Sequence, residues 1–336
     1  MANALELELW NGCIPVVVRL HPEDVTSLEQ PAPHYAMLPR MGYLGSIAAA
    51  VVEHFKDAAP HCGLANSGTG DWGGIANDLW FDSDSTPLNW QVPAGVLFDA
   101  HCGSSVVNKS AVDLPREQSP VNSRYPWALT VHFQSYPEGQ LVRPHGARAL
   151  ERHFFHSLKQ GLFLEHGSSA VAMQMERSEQ EKLWRSMCDQ DAPAFMSVSS
   201  RLRMPSPDAV PVRLLLQSSG RGCSSDDASI WTQPHCKTSR VDLEDTGAKL
   251  LAAGTIGDLL RECVDGDSDF GAAVDFSNQS QGSSSSISSA ASSSSNCVAI
   301  AHGIALDAAA PLVDVWRALA HPDHFLYLVV CPPSGH

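Results

Sequence analysis

Lys159 offers an amine, and an amine held in solvent on a rigid element can serve as a point of covalent attachment. The run Ala149 to Lys159 places Leu150, Phe154 and Leu158 four residues apart, one apolar stripe of a helix widened by Phe155. Lys159 projects away from the centre of that stripe, on the side of Arg152 and His156. Gly161 follows as a helix stop signal, so the spacing predicts Lys159 in the last turn of the helix. A lysine there also complements the helix dipole, which is the plainer role. Chemistry of a second kind would come from three His-Cys dipeptides, His61-Cys62, His101-Cys102 and His235-Cys236. A closed zinc site normally carries paired ligands two to four residues apart, and none of the three shows that pairing. A thiol nucleophile needs a base on a rigid scaffold, and no motif marks any of the nine cysteines for it. The glycine-rich stretch Gly68 to Gly74 lacks the Lys-Ser/Thr that completes a phosphate cradle. No catalytic residue, cofactor or metal is therefore expected.

Composition narrows the classes further. In 336 residues, 43% are hydrophobic and 18% charged, which is globular composition with room for two or three domains. A formal net charge of −15 argues against a nucleic-acid partner, because displacing counterions from phosphates requires basic surface. The same charge disfavours direct adsorption to anionic lipid. No apolar run approaches the ~20 residues of a membrane span, and residues 1–6 lack the pattern of a secretory signal. A cytosolic chain with reduced thiols is expected.

The elements that must position the amine follow from periodicity. Residues 4–10 suit either a strand or a short amphipathic helix. Cys13–Leu20 and Tyr35–Leu38 read as strands, and Met41–Phe55 as a helix. Residues 60–77 and 101–124 have loop composition, and Trp80-Phe81, Pro87 to Trp90 and Val96 to Phe98 read as extended pieces between them. Ala128–Phe133 alternates as a half-buried strand. Helical patterns cover the Lys159 segment, Met173–Met187 and Phe195–Leu202. Val210–Leu216 is a strand, 218–245 reads as loop, and Thr255 with Asp258 marks a helix start. Residues 277–296 are nearly all Ser, Asn, Gln and Gly, a composition too poor in apolar groups to offset its ordering entropy. Val298–Ala301, Pro311–Ala320 and Phe325–Val330 close the chain as strand, helix and strand. Both ends therefore read as α+β units whose order suits a β-grasp, among other α+β sheets.

A resemblance then enters on motifs in a fixed order. Trp10-x-Gly-x-Ile-Pro15, Tyr35-x-x-Leu-Pro-Arg40, Trp80-Phe81, Thr86-Pro-Leu-x-Trp90 and Leu97-Phe-Asp99 resemble the autophagy protein 5 family. So do Trp127-x-x-Thr-Val-His-Phe133, His153-Phe154, Leu183-Trp184, Gly257-Asp-Leu-Leu260, His302-Gly-Ile304 and Pro322-Asp-x-Phe-Leu326. The resemblance implies two ubiquitin-like (β-grasp) domains flanking a helix-rich domain. The expected boundaries are an N-terminal segment 1–11, a first ubiquitin-like domain 12–142, a helix-rich domain 143–206 and a second ubiquitin-like domain 207–336. Insertions are expected at 60–77, 101–124 and 265–296. It also implies a non-enzymatic scaffold that accepts the ubiquitin-like autophagy protein 12 covalently, at the lysine after the His-Phe motif, here Lys159. The other implied partners are the coiled-coil autophagy protein 16 and the conjugating enzymes of the autophagy system. Arg40 and His302 match positions that the family places near the coiled-coil partner's groove. The conjugate would promote lipidation of a second ubiquitin-like protein, in the cytoplasm and peripherally at the preautophagosomal membrane. The reading from a different class is a soluble thiol- or zinc-dependent enzyme using one His-Cys pair.

Overall fold

The computed structural model describes residues 4–59, 78–102, 125–145, 148–203, 207–216, 236–242, 254–265 and 297–331. Two sheets of five strands are built on one plan. In the first, β1 (Cys13–Leu20) pairs antiparallel with β2 (His34–Pro39) and parallel with β5 (Trp127–His132). Strand β3 (Trp80–Ser83) borders β5, and β4 (Thr86–Pro87) borders β3, giving the order β2-β1-β5-β3-β4. Helix α2 (Gly45–Phe55) follows β2, and α3 (Ala94–Cys102) follows β4. In the second sheet, β6 (Ala209–Leu216) stands where β1 stood, antiparallel to β7 (Cys236–Asp242) and parallel to β10 (Leu326–Cys331). Strands β8 (Val298–Ala301) and β9 (Ile304–Ala305) complete the order β7-β6-β10-β8-β9. Helix α8 (Ile256–Asp265) follows β7, and α9 (Leu312–Leu319) follows β9. Each unit is thus a ββαββαβ chain whose first and last strands lie parallel at the centre, the ubiquitin-like β-grasp arrangement.

The strand residues explain the burial. Ile14, Val16, Val18 and Leu20 alternate onto the helix-covered face of β1, each at most 1% exposed. Their continuous core passes into a helical middle made of α4 (Ala149–His166), α5 (Ala170–Met173), α6 (Arg177–Cys188) and α7 (Ala192–Ser199). The second sheet has a core of its own around Leu214, Ile256, Leu312, Trp316 and Leu328.

Four expectations need correction or a decision. Residues 4–10 are a helix, α1 (Ala4–Trp10), whose Trp10 ring lies 4.7 Å from Phe195 and whose indole N–H donates to the Gln190 carbonyl at 3.1 Å. Val96–Phe98 is helical rather than extended: Pro93 precedes α3, and Ala94, Leu97 and Phe98 share one buried face. The 218–245 stretch contains a strand, β7, which is polar in sequence and lies at the sheet edge. The Met173–Met187 pattern is two helices, parted where Glu176 and Glu179 form a reciprocal capping box at the start of α6. Of the expected insertions, 60–77 lies outside the described residues, as do 103–124 of 101–124 and 266–296 of 265–296 with the Ser tract; His101 and Cys102 are instead the last residues of α3, and Asp265 is the last of α8. No described helix is long and apolar enough to cross a membrane.

Candidate functional site: the Lys159 helix and the interdomain groove

Helix α4 is held on three sides. Its stripe Leu150, Phe154, Leu158 and Leu162 is 6%, 0%, 0% and 1% exposed and packs in the helical middle, with the Phe154 ring 5.6 Å from that of Trp184. Toward the first domain, the His153 ring shares a 2.8 Å hydrogen bond with the Gln91 carbonyl and meets Tyr43 and Trp90 edge-on. Burial pushes the His153 imidazole below its ordinary value, so this contact is made by the neutral ring. Toward the second domain, Ser157, Gly161 and Glu165 recur at a spacing of four and form one face. The Ser157 hydroxyl donates to Asp323 Oδ2 at 2.6 Å, and Glu165 Oε2 lies 2.8 Å from His324 Nδ1. Between them a Cβ on Gly161 would sit 2.6 Å from the Asp323 carbonyl oxygen.

That contact overturns the reading of Gly161 as a helix stop. The helix runs on to His166 and ends at Gly167, which adopts φ +69° and donates its N–H to the Phe163 carbonyl at 2.7 Å. Gly161 is there because the loop of the second domain approaches the helix backbone. Lys159 therefore sits about two turns before the C-terminus rather than in the last turn, and end-of-helix dipole complementation does not apply to it.

The remaining face carries Arg152, Phe155, His156, Lys159 and Phe163. Arg152 and His156 are exposed, Phe163 is 54% exposed, and Lys159 is half-buried along its stem. Phe155, Lys159 and Phe163 succeed one another at a spacing of four, so the three residues share one ridge of the helix. Among the described residues, none forms an ion pair or hydrogen bond with Lys159. Two other lysines lie on described helices or beside them. Lys56 is engaged by Glu53, a contact that raises its pKa, and exposed Lys182 lies on α6.

Asp323 is the hub that fixes the rotation of α4. It is fully buried and accepts from Ser157, from the Tyr327 hydroxyl at 2.8 Å and from the Phe325 N–H at 3.2 Å. Burial alone would raise its pKa. The opposing pull of His321, then Arg213 and the Ser157 hydroxyl, holds it well below the usual carboxylate range. Arg213 lies over the Phe325 ring at 3.8 Å and donates to Gln160 Oε1 at 3.0 Å, beside the lysine. His321 Nε2 is 2.8 Å from the Met41 carbonyl. One carboxylate thus ties both sheets to α4.

Arg40 and His302 meet at the seam between the two ubiquitin-like units. Arg40 Nη2 lies 2.6 Å from both carboxylate oxygens of Asp99, with side-chain exposures of 12% and 5%. Asp99 Oδ2 also accepts from the Gly303 N–H at 2.8 Å, across the seam. His302 has φ +51° and shares a 2.9 Å hydrogen bond with the Leu319 carbonyl. Burial pushes its imidazole down to about 4, so near neutral pH the ring is uncharged and donates to that carbonyl. Both residues line a small cavity of about 10 Å³, room for one water.

A larger feature was not legible in the chain. A groove of about 170 Å³ lies among α7, α9 and the loop after α9, floored by Phe195, Trp316 and Pro322 and rimmed by Arg203 and Arg317. An adjoining cavity of about 40 Å³ shares Phe195, Arg203, Arg317 and Pro322 and extends the groove along α1 to Leu9 and Met41. His321 lines both the groove and the seam cavity. The only forewarning in sequence was Arg317 within an otherwise amphipathic helix.

The His-Cys dipeptides do not assemble a site among the described residues. His101 and Cys102 are adjacent on α3, and side chains one position apart on a helix do not face each other. His61-Cys62 and His235 lie outside the described residues.

Comparison with known proteins agrees with this architecture. Three family descriptions match in chain order: "Autophagy protein ATG5, UblA domain" over residues 9–133, "Autophagy protein ATG5, alpha-helical bundle region" over 147–205, and "Autophagy protein ATG5, UblB domain" over 209–330. Among relatives named Autophagy protein 5, that of Arabidopsis thaliana is 31% identical over 61% of this chain and 51% of its own length. That of Emericella nidulans is 26% identical over 98% of this chain and 97% of its own. The match spans about half the length of the plant relatives, 43% in Oryza sativa. A crystal structure of Kluyveromyces marxianus Atg5 superposes with a TM-score of 0.63 at 21% identity, covering 96% of this chain and 97% of that one, which is a likeness of fold. With both sheets and the helical middle matched in order, the chain belongs to the autophagy protein 5 family.

Proposed function

We propose that the protein is a non-enzymatic scaffold whose Lys159 accepts a ubiquitin-like modifier, autophagy protein 12, through an isopeptide bond. The observation that carries this reading is an ammonium on the one free face of a helix locked on its other sides, with no described partner. In the reaction the deprotonated Nζ attacks the carbonyl carbon of the modifier's thioester, the C–N bond forms, the C–S bond breaks, and the conjugating enzyme's thiolate leaves. The amine's proton passes to solvent. Arginine at this position cannot act as nucleophile, because its guanidinium stays protonated. Of the lysines on described helices, Lys159 alone combines a fixed backbone with an exposed aromatic ring, Phe163, one turn away for the modifier to cover.

The groove floored by Phe195 and Trp316 suits an amphipathic helix with acidic residues along its edges, supplied by the coiled-coil autophagy protein 16. Arg203 and Arg317, paired in the free protein with Glu6 and Asp314, would exchange onto those carboxylates. Arg40 and His302 serve this partner from behind the groove, by holding together the two units whose helices form its walls. The conjugate then promotes lipidation of a second ubiquitin-like protein, with the protein cytoplasmic and brought peripherally to the preautophagosomal membrane by the complex. Cell extract run under strong reductant tests the reading. A larger species must survive reduction and vanish in Lys159→Arg; its persistence in that variant overturns the assignment.

A further inference from the structure

We propose that His21, Asp24 and His132 form a binding site for a divalent cation of the zinc class on the outer face of the first sheet. Their ligand atoms all lie within 4.8 Å of one another. Asp24 and His132 are 4% and 6% exposed, while His21 is half-buried at the end of β1. The three come together because the His21 N–H bonds to the Val131 carbonyl at 3.0 Å, and Asp24 Oδ2 accepts the Phe133 N–H at 2.8 Å. The chain leaving β1 is therefore stitched alongside the end of β5.

The hydrogen bonds around the cluster engage one atom of His132 and one of Asp24 and leave the others. His132 Nε2 lies 2.5 Å from Asp82 Oδ2, so the hydrogen bond to that carboxylate occupies Nε2 and leaves Nδ1 for another partner. A carboxylate behind an imidazole in this way fixes the tautomer and raises the basicity of a metal-ligating histidine. Among the described residues, no donor reaches Nδ1 of His132, Oδ1 of Asp24 or the ring of His21. Two carboxylates, Asp24 and Asp82, thus stand beside the two rings.

Two imidazoles and one carboxylate is the donor set that suits zinc and its neighbours rather than calcium or magnesium. Ligand atoms around tetrahedral zinc stand about 3.3 Å apart, so the present cluster must close by at most about 1.5 Å. His21 supplies that movement. His132 is fixed by the Trp80 ring, stacked at 3.7 Å and 9°, and by Asp82. The His21 ring stacks loosely on its other side, at 4.3 Å and 29°, and must swing about its side-chain bonds to direct a nitrogen at the ion. This site is independent of the Lys159 reading. It holds the end of β1 to β5, far in sequence from the helical middle.

Zinc titrated into the full chain against a chromophoric chelator tests the site, with stoichiometry and affinity compared across variants. The wild type is expected to bind one ion more than His21→Ala or Asp24→Asn. Asp82→Asn should weaken that ion's binding by about 10–100-fold. Equal stoichiometry and affinity in the wild type and His21→Ala overturns the proposal, as does an absence of zinc binding. Should a variant lose its cooperative melt, Co²⁺ added to the wild type decides: d–d bands without a thiolate charge-transfer band support the site, and their absence overturns it.

Discussion

Gly161→Ala separates two accounts of α4 that predict opposite signs. On an unconstrained helix face, replacing an interior glycine with alanine stabilises by about 1 kcal/mol, because the unfolded glycine has more freedom to lose. Here the new methyl would lie 2.6 Å from the Asp323 carbonyl oxygen and 3.2 Å from His324 Cβ, where ordinary contact begins near 3.4 Å. Helix and loop must then part by about 0.8 Å. That displacement stretches the 2.6 Å Ser157–Asp323 bond and the 2.8 Å His324–Glu165 contact beyond useful hydrogen-bonding range. Losing a hydrogen bond to a buried charge costs about 1.5–3 kcal/mol, which exceeds the propensity gain. A net destabilisation of about 1–2 kcal/mol is expected. Urea unfolding followed by tryptophan fluorescence reads it, with His156→Ala on the exposed face as the control for helix propensity. Faster hydrogen exchange of α4 amides and slower conjugation at Lys159 should accompany it. A Gly161→Ala protein more stable than the wild type would refute the idea that the loop presses on this helix.

Other outcomes follow from the seam and the groove. Unfolded His302 takes up a proton near pH 6.5 that the folded ring refuses until about 4, so stability is lost as pH falls through that window and is flat above it. At pH 5 the loss from this group is about 2 kcal/mol. His302→Asn, which tolerates the positive φ, should flatten the dependence; an unchanged difference in denaturant midpoint between pH 7.5 and 5.0 would count against the assignment. Asp99→Ala leaves the Arg40 guanidinium buried without its carboxylate and should cost about 3–5 kcal/mol, with Arg40→Ala adding little on top in a double-mutant cycle. Additive losses would show the pair to be uncoupled. Arg317→Glu in the groove should weaken binding of the coiled-coil partner's helix by at least about tenfold with the melt unchanged, and calorimetry showing wild-type affinity would remove the groove from the account.

Local pattern carried most of the fold. The β-branched run of β1, the alternation of β5 and the four-residue stripe of α4 each identify their element, since burial on one face imposes a period on the sequence. What pattern missed has physical reasons. Strand β7 carries Lys237, Thr238, Ser239 and Arg240 at a sheet edge, and looks like a loop until its ladder to β6 is seen. Helix α3 is nine residues long, too short for Val96 to Phe98 to reveal a period. Gly161 reads as a stop because its partner, the Asp323 carbonyl, is more than 160 residues away. Lys159 was visible as an amine off the apolar stripe, but its immobility was not. That depends on Ser157, Gln160 and Glu165 meeting Asp323, Arg213 and His324, pairs with no common sequence signature. The groove is likewise assembled from α1, α7 and α9, and the His21, Asp24 and His132 cluster from two distant strand ends.

The most direct measurement is a peptide map of the reconstituted conjugate by tandem mass spectrometry. A single branched peptide is expected, with the modifier's C-terminal glycine in amide linkage to Nζ of Lys159. A branch on Lys56 or Lys182 in its place, or a conjugate formed equally well by Lys159→Arg, would contradict it.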